Sequence, residues 1–180
     1  MKAVLISIQP KWVEKIANGE KTIEVRKTAP KEVPFKAYIY CTKEKKQDDI
    51  IWAGAFGDRG KWNEHVIGEF ICDRVIEWKY LPDDVFPSWL RMYYIYADDG
   101  EKTCLSYEEI EEYGKGKTLY GWHISDLKIY DKPKPIMQFY KPCPIKIKNC
   151  PVCEFYSTYT GCCMNNIDRP PQSYMFVEDV

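Results

Sequence analysis

Hydrophobic and polar positions alternate from the first residues onward. Val4, Ile6 and Ile8 recur at every second place, which predicts a strand over residues 1–8. Pro10 suits the first turn of a helix. Trp12 and Ile16 then meet at i, i+4, and Val13 and Ala17 widen the apolar stripe. Gly19 marks a left-handed helix end. Residues 21–26 are short and β-branched. A period of two puts Thr22, Glu24 and Arg26 on one side of that strand and Lys21, Ile23 and Val25 on the other. Further strands are expected over residues 36–42, over residues 66–78 as one long or bent strand with Gly68 as the place for a bulge, and over residues 119–129. Gly54, Gly57 and Gly60 suggest a loop, and Ser106 with Glu109 forms a capping box that opens a short acidic helix closing at Gly114. Short strands interleaved with two or three helices, without a regular βαβ rhythm, imply an α+β fold or a mixed barrel.

Length and composition narrow the class. The 180 residues suit one domain, or one domain with a small appendage. Hydrophobic residues at 45% and charged residues at 29% are ordinary for a globular chain and exclude a disordered one. No stretch approaches the ~20 apolar residues of a membrane helix, and the apolar run at the N-terminus is too short for a secretory signal. The expectation is a cytoplasmic protein without a membrane partner. In such a reducing setting the 8 cysteines are thiols or metal ligands rather than a disulfide framework.

The formal net charge of −1 conceals a gradient. Residues 1–46 hold 11 Lys/Arg against 5 Asp/Glu, residues 47–131 hold 9 against 18, and residues 132–180 hold 6 against 4. Affinity for nucleic acid comes largely from neutralising phosphates, so this balance excludes a protein that coats DNA. It leaves room for one basic face beside an acidic one, and hence for a local, selective site.

One continuous signature sets the family expectation. Ser7-Ile-Gln-Pro10, Trp12, a helix, and then Gly19-Glu-Lys21-Thr-Ile-Glu24-Val-Arg26 fit a strand–helix–strand unit carrying G-x-K-x-x-E-x-R. This pattern resembles the ASCH domain, a branch of the PUA-like superfamily. Ile67-Gly-Glu-Phe70 and Tyr120-Gly-Trp-His-Ile124 resemble inner strands of the same barrel, and Arg169-Pro-Pro-Gln-Ser173 resembles the end of a subgroup common in bacteria and their phages. The resemblance implies an α+β fold built as a PUA-like mixed β-barrel with flanking short helices over residues 1–140. A Cys-rich insertion over residues 141–166 and a tail over residues 167–180 that returns to the barrel complete the expected organisation.

Function follows from the same residues. Glu24 and Arg26, two apart on one strand face, are able to pair and leave donors for a phosphate or a base edge. An isolated pair of this kind is more often a surface ion pair worth ~0–1 kcal/mol. Lys21, just past the helix end, adds a cation to the same cleft. Ser7 and Gln9 end the first strand; either lines that cleft or caps the helix. Of the two histidines, His123 is the candidate for the site, beside the reading of a hydrogen-bonded structural histidine. The resemblance implies binding of RNA or of a modified nucleoside. The alternative it implies is an amidohydrolase acting on N4-acylcytidine-type nucleosides. In such enzymes a lysine works with a hydroxyl-bearing residue three positions on and with a glutamate from a later helix. Lys21 matches that lysine, whereas Glu24 stands in the hydroxyl position. The later carboxylate could come from Glu108, Glu109, Glu111 or Glu112, and Glu69 is a further candidate. An enzyme would therefore use Lys21, Glu24 and Glu69 or one of the helix glutamates.

Five of the cysteines crowd between residues 143 and 163. Cys150-Pro-Val-Cys153 is a C-x-x-C knuckle, and Cys143 with Cys163, or its neighbour Cys162, would complete four thiolates around a structural zinc ion. The bland alternative is a set of reduced thiols in a loop. Protein purified without added metal is expected to carry one zinc per chain by elemental analysis. Zinc far below one equivalent, with all eight thiols freely titratable, would contradict this.

Overall fold

The computed structural model describes residues 2–30, 32–43, 62–80, 100–142 and 166–179. Cys143, Cys150, Cys153, Cys162 and Cys163, and the expected Gly54–Gly60 loop, lie outside these residues.

The opening alternation forms strand β1, Ala3–Ile8. Val4, Ile6 and Ile8 enter the main core, while Ala3 and Leu5 enter a second cluster on the opposite face. Both faces are apolar because β1 is central: it pairs in parallel with β3, Phe35–Cys41, and antiparallel with β8, Tyr174–Val177. Helix α1, Pro10–Ala17, starts on Pro10 and buries Val13 and Ile16. It ends in a Schellman arrangement around Gly19 (φ +75°). The Gly19 amide donates to the Ile16 carbonyl, and the Glu20 amide to that of Lys15. That turn delivers Lys21 to the start of β2, Ile23–Arg26.

The long strand expected over residues 66–78 is two strands, β4 (His65–Cys72) and β5 (Val75–Trp78). The chain leaves one sheet at the exposed Asp73–Arg74 corner and enters another. The strand expected over residues 119–129 divides likewise into β6 (Leu119–His123) and β7 (Ser125–Pro135), on either side of Ile124. The two corners are bonded together, because the His123 amide donates to the Arg74 carbonyl. Between β5 and β6 a 3-10 turn, Gly100–Thr103, leads to helix α2, Tyr107–Gly114. Ser106 and Glu109 form the reciprocal capping box.

Hydrogen bonding orders the strands as β7-β4-β3-β1-β8 in one sheet and β2-β6-β5 in the other. Among the described residues no ladder closes these into a ring, so the fold is a mixed α+β arrangement of two open sheets where one barrel was expected. The edges explain this. β7 carries Pro133 and Pro135, which lack an N–H, and β8 is four residues long. Prolines are tolerated there because β7 is an edge strand. Gly68 sits where the registers of β3 and β7 against β4 both shift; a Cβ there would run into the Lys128 carbonyl.

The sheets share a core centred on the fully buried Trp122, whose indole meets Phe35 edge-on at 5.1 Å and Tyr174 at 5.2 Å between ring centroids. The outer face of the larger sheet is covered by Phe139 and Ile167, and α2 packs through Ile110 against Ile23, Trp78 and Leu119. Tyr140 and Asn166, which flank the Cys-rich stretch, pair in an antiparallel bridge. No described helix is long and apolar enough to cross a membrane.

Candidate functional site

Strand β2 is an edge of the smaller sheet, yet all four of its residues are buried, Glu24 and Arg26 included. Their strand face turns toward the seam between the two sheets, where polar groups must find partners at close range. Glu24 finds two. One carboxylate oxygen lies 3.1 Å from Arg26 Nη2 and the other 3.4 Å from Lys21 Nζ. The result is a buried row of cation, anion and cation, with Lys21 2%, Glu24 7% and Arg26 5% exposed.

The two cations also hold backbone carbonyls from distant parts of the chain. Lys21 Nζ donates to the carbonyls of Ile23 (2.9 Å) and Thr103 (2.6 Å). Arg26 donates through Nη2 to the Ser7 carbonyl on β1 (2.7 Å) and through Nη1 to the Ser173 carbonyl before β8 (3.3 Å). The row therefore clasps both sheets, the 3-10 turn and the C-terminal segment. One donor is left over: Arg26 Nε is buried with no acceptor among the described residues. Burial holds the Lys21 ammonium below its ordinary pKa, and the Glu24 carboxylate works against that shift.

Above the row opens a cleft of about 670 Å³ to which Lys21, Glu24 and Arg26 all contribute. Gln9, Lys11 and Trp12 at the start of α1 form one wall, and Glu109, Glu112 and Tyr113 of α2 form the facing one. Pro170, Pro171 and Gln172 form a third. Two rings carry cations: Lys11 Nζ is 4.1 Å from the Trp12 centroid, and Lys27 Nζ 4.8 Å from that of Tyr113. Lys11 also bridges the walls through Glu109 at 2.9 Å, which holds the Glu109 carboxyl below its usual range. Both partners are well exposed, so this bridge contributes little. Burial pushes the Tyr113 phenol up, and it remains neutral. Among the described residues, five cationic side chains face three carboxylates around the cleft, a local excess of positive charge on a chain of net charge −1.

Of the residues singled out by sequence, Ser7, Gln9, Lys21, Glu24 and Arg26 meet in this cleft. The Ser7 hydroxyl is engaged, donating to the Pro171 carbonyl at 2.6 Å. Gln9 occupies the N-cap position of α1, but its side chain makes no capping bond. His123 and Glu69 are not brought to the cleft. His123 stands opposite Ile23 in the β2–β6 register, one place away from the Trp122–Glu24 pair, and therefore on the other face of the sheet. Its Nδ1 pairs with Asp73 at 2.6 Å. Glu69 lies on β4 opposite Tyr38 and Lys128 and accepts from the Tyr130 hydroxyl at 2.6 Å, away from the seam.

Sequence reasoning left four helix glutamates open, and α2 presents Glu109 and Glu112. Their i, i+3 spacing, continued by Tyr113 at i+4, is a face that the helical period alone could have picked out. The contribution of Gln172 had no local signal, since it depends on where the C-terminal segment returns.

The weight of Glu24 is directly testable. Removing one partner from a buried ionic row typically costs ~3–5 kcal/mol. Glu24→Ala is thus expected to lower the unfolding free energy by about that much in denaturant titration. Glu24→Gln is expected to drive the Lys21 pKa further down, because the carboxylate opposing burial is gone. NMR of the lysine side chain reads this shift, and an unchanged pKa would show that the two groups are uncoupled.

The sequence matches no family model and no curated protein. Its structure is similar to crystal structures of the ASCH protein from Zymomonas mobilis. The protein itself aligns with a TM-score of 0.52 at 17% identity, over 99% of this chain and 89% of that one. A tyrosine-to-phenylalanine variant aligns with a TM-score of 0.58 at 15% identity, over 99% and 92%. A serine-to-alanine variant gives 0.57 at 16%, over 99% and 89%. The open sheets and the two helices of the described residues thus give this chain the ASCH-domain fold.

Proposed function

We propose that the cleft binds RNA or a nucleoside, with Arg26 as the cation that meets the ligand and Lys21 as the clasp that holds the site together. The observation that carries this reading is the cleft above a buried row of net positive charge, with Lys21, Glu24 and Arg26 all contributing to its lining. The rim adds flat surfaces: Trp12 and Tyr113 flank the row, and base stacking on such rings contributes ~1–3 kcal/mol per base. Lys11, Lys27 and Lys115 supply exposed charge for the backbone. Lys21 is unsuited to ligand contact, since its ammonium already serves two carbonyls and Glu24.

Binding of a short single-stranded RNA, followed by tryptophan fluorescence, is expected to weaken as salt rises. Arg26→Lys keeps the charge but loses the planar set of donors, and should weaken binding by about tenfold or more; Trp12→Ala should do the same. Lys128→Ala, on the far side of the larger sheet, should change affinity by less than about twofold. Equal losses in all three would point to diffuse electrostatics in place of a site.

One observation favours a second reading, hydrolysis of an N4-acylcytidine-type nucleoside. Helix α2 places Glu109 and Glu112 in the same cleft as Lys21, and burial brings that lysine nearer to the range of a general base. Against it stands Glu24, a carboxylate that favours the charged ammonium, in the position where the resemblance calls for a hydroxyl. Incubation with N4-acetylcytidine should accordingly release no more than traces of cytidine. Brisk release that Lys21→Ala abolishes would make the hydrolase reading the correct one.

A further inference from the structure

Resting on the nucleic-acid reading of the cleft, we infer that Gln172, on the C-terminal segment, is the residue that discriminates among bases there. Its carboxamide would meet the hydrogen-bonding edge of a nucleobase seated in the cleft beside Arg26.

Three features carry this. The backbone around Gln172 is fixed before any ligand arrives. The carbonyl on one side, at Pro171, accepts from the Ser7 hydroxyl at 2.6 Å, and the carbonyl on the other, at Ser173, accepts from the Ser7 amide at 3.1 Å and from Arg26 Nη1 at 3.3 Å. Pro170 and Pro171 stiffen the approach, so little conformational freedom remains to be lost on binding.

The side chain itself is exposed, lines the cleft, and makes no hydrogen bond among the described residues. A pinned backbone that presents a free carboxamide to a cleft is the arrangement a selective contact needs. The third feature is adjacency. The carbonyl of Ser173, the next residue, is hydrogen-bonded to the Arg26 guanidinium, and Arg26 and Gln172 line the same cleft. A base seated beside Arg26 would therefore present an edge toward the segment that carries Gln172.

The chemistry separates this group from its surroundings. The cleft's lysines and Arg26 only donate, its ionised carboxylates only accept, and the hydroxyls of Ser7, Thr42 and Tyr113 do either through a single atom. A carboxamide holds a donor and an acceptor side by side and so distinguishes base edges by their order of donor and acceptor. Among the described residues, Gln9 is the one other carboxamide in the cleft lining, on the α1 wall, and it serves as the comparator.

The test measures equilibrium binding of wild-type protein, Gln172→Ala, Gln172→Glu, Gln9→Ala and Arg26→Lys to oligo(A), oligo(C) and oligo(U) of equal length across one series of salt concentrations. Wild type is expected to separate the best from the poorest of the three by about tenfold, the discrimination one good bidentate contact supplies. Gln172→Ala should collapse that spread to about twofold or less while leaving affinity for the poorest sequence and the salt slope unchanged. Gln172→Glu, which only accepts, should reorder the three.

A ranking preserved in Gln172→Ala, or lost only in Gln9→Ala, overturns the inference; so does a wild type with no preference. If Arg26→Lys loses affinity in those same experiments, the binding reading of the cleft survives that failure. Absence of binding by the wild type removes both.

Discussion

A single carboxylate between two buried cations holds the site together. Glu24 sits at the seam of the two sheets, within 3.4 Å of Lys21 and 3.1 Å of Arg26. Without it, two positive charges would be confined to a region that excludes water, and each would favour exposure. With it, both become anchors. Arg26 reaches the Ser7 carbonyl of β1 and the Ser173 carbonyl ahead of β8; Lys21 reaches the Thr103 carbonyl ahead of α2. Segments more than a hundred residues apart in sequence thus converge on one ionic row, and the cleft is the space left above it.

That arrangement gives floor and rim different physics. The floor is desolvated and weakly screened, so the charges of the Lys21–Glu24–Arg26 row act on one another strongly there. The rim lysines and glutamates are exposed and respond to ionic strength. Acidic residues of α2 face the basic start of α1, joined by Lys11–Glu109. A chain of net charge −1 thus keeps a local excess of positive charge among the described residues of the cleft. The ASCH-domain fold supplies the frame, and the choice of ligand rests on the side chains around the cleft.

Much of the local structure was legible because its causes are local. The alternation of Val4, Ile6 and Ile8, Pro10 at a helix start, the Gly19 turn and the Ser106–Glu109 capping box each act within a few residues, and each occurs as the pattern implies. The pairing of Glu24 with Arg26 was legible for the same reason, since strand period two places them side by side. The corners at Asp73–Arg74 and Ile124 were hidden. A strand that changes sheets keeps its alternation, and the break is decided by the partners it meets.

By itself, then, the sequence determined where most strands and helices lie, and that Glu24 and Arg26 share one strand face; these follow from short-range sterics, hydrogen bonding and spacing. Only the tertiary structure decided that the sheets remain open among the described residues, that Glu69 and His123 face away from the cleft, and that Glu109, Glu112, Tyr113 and Gln172 line it. Those outcomes depend on which faces become buried against each other and where the C-terminal segment returns. Contacts between residues far apart in the chain settle both, and their partners leave no mark in the local pattern.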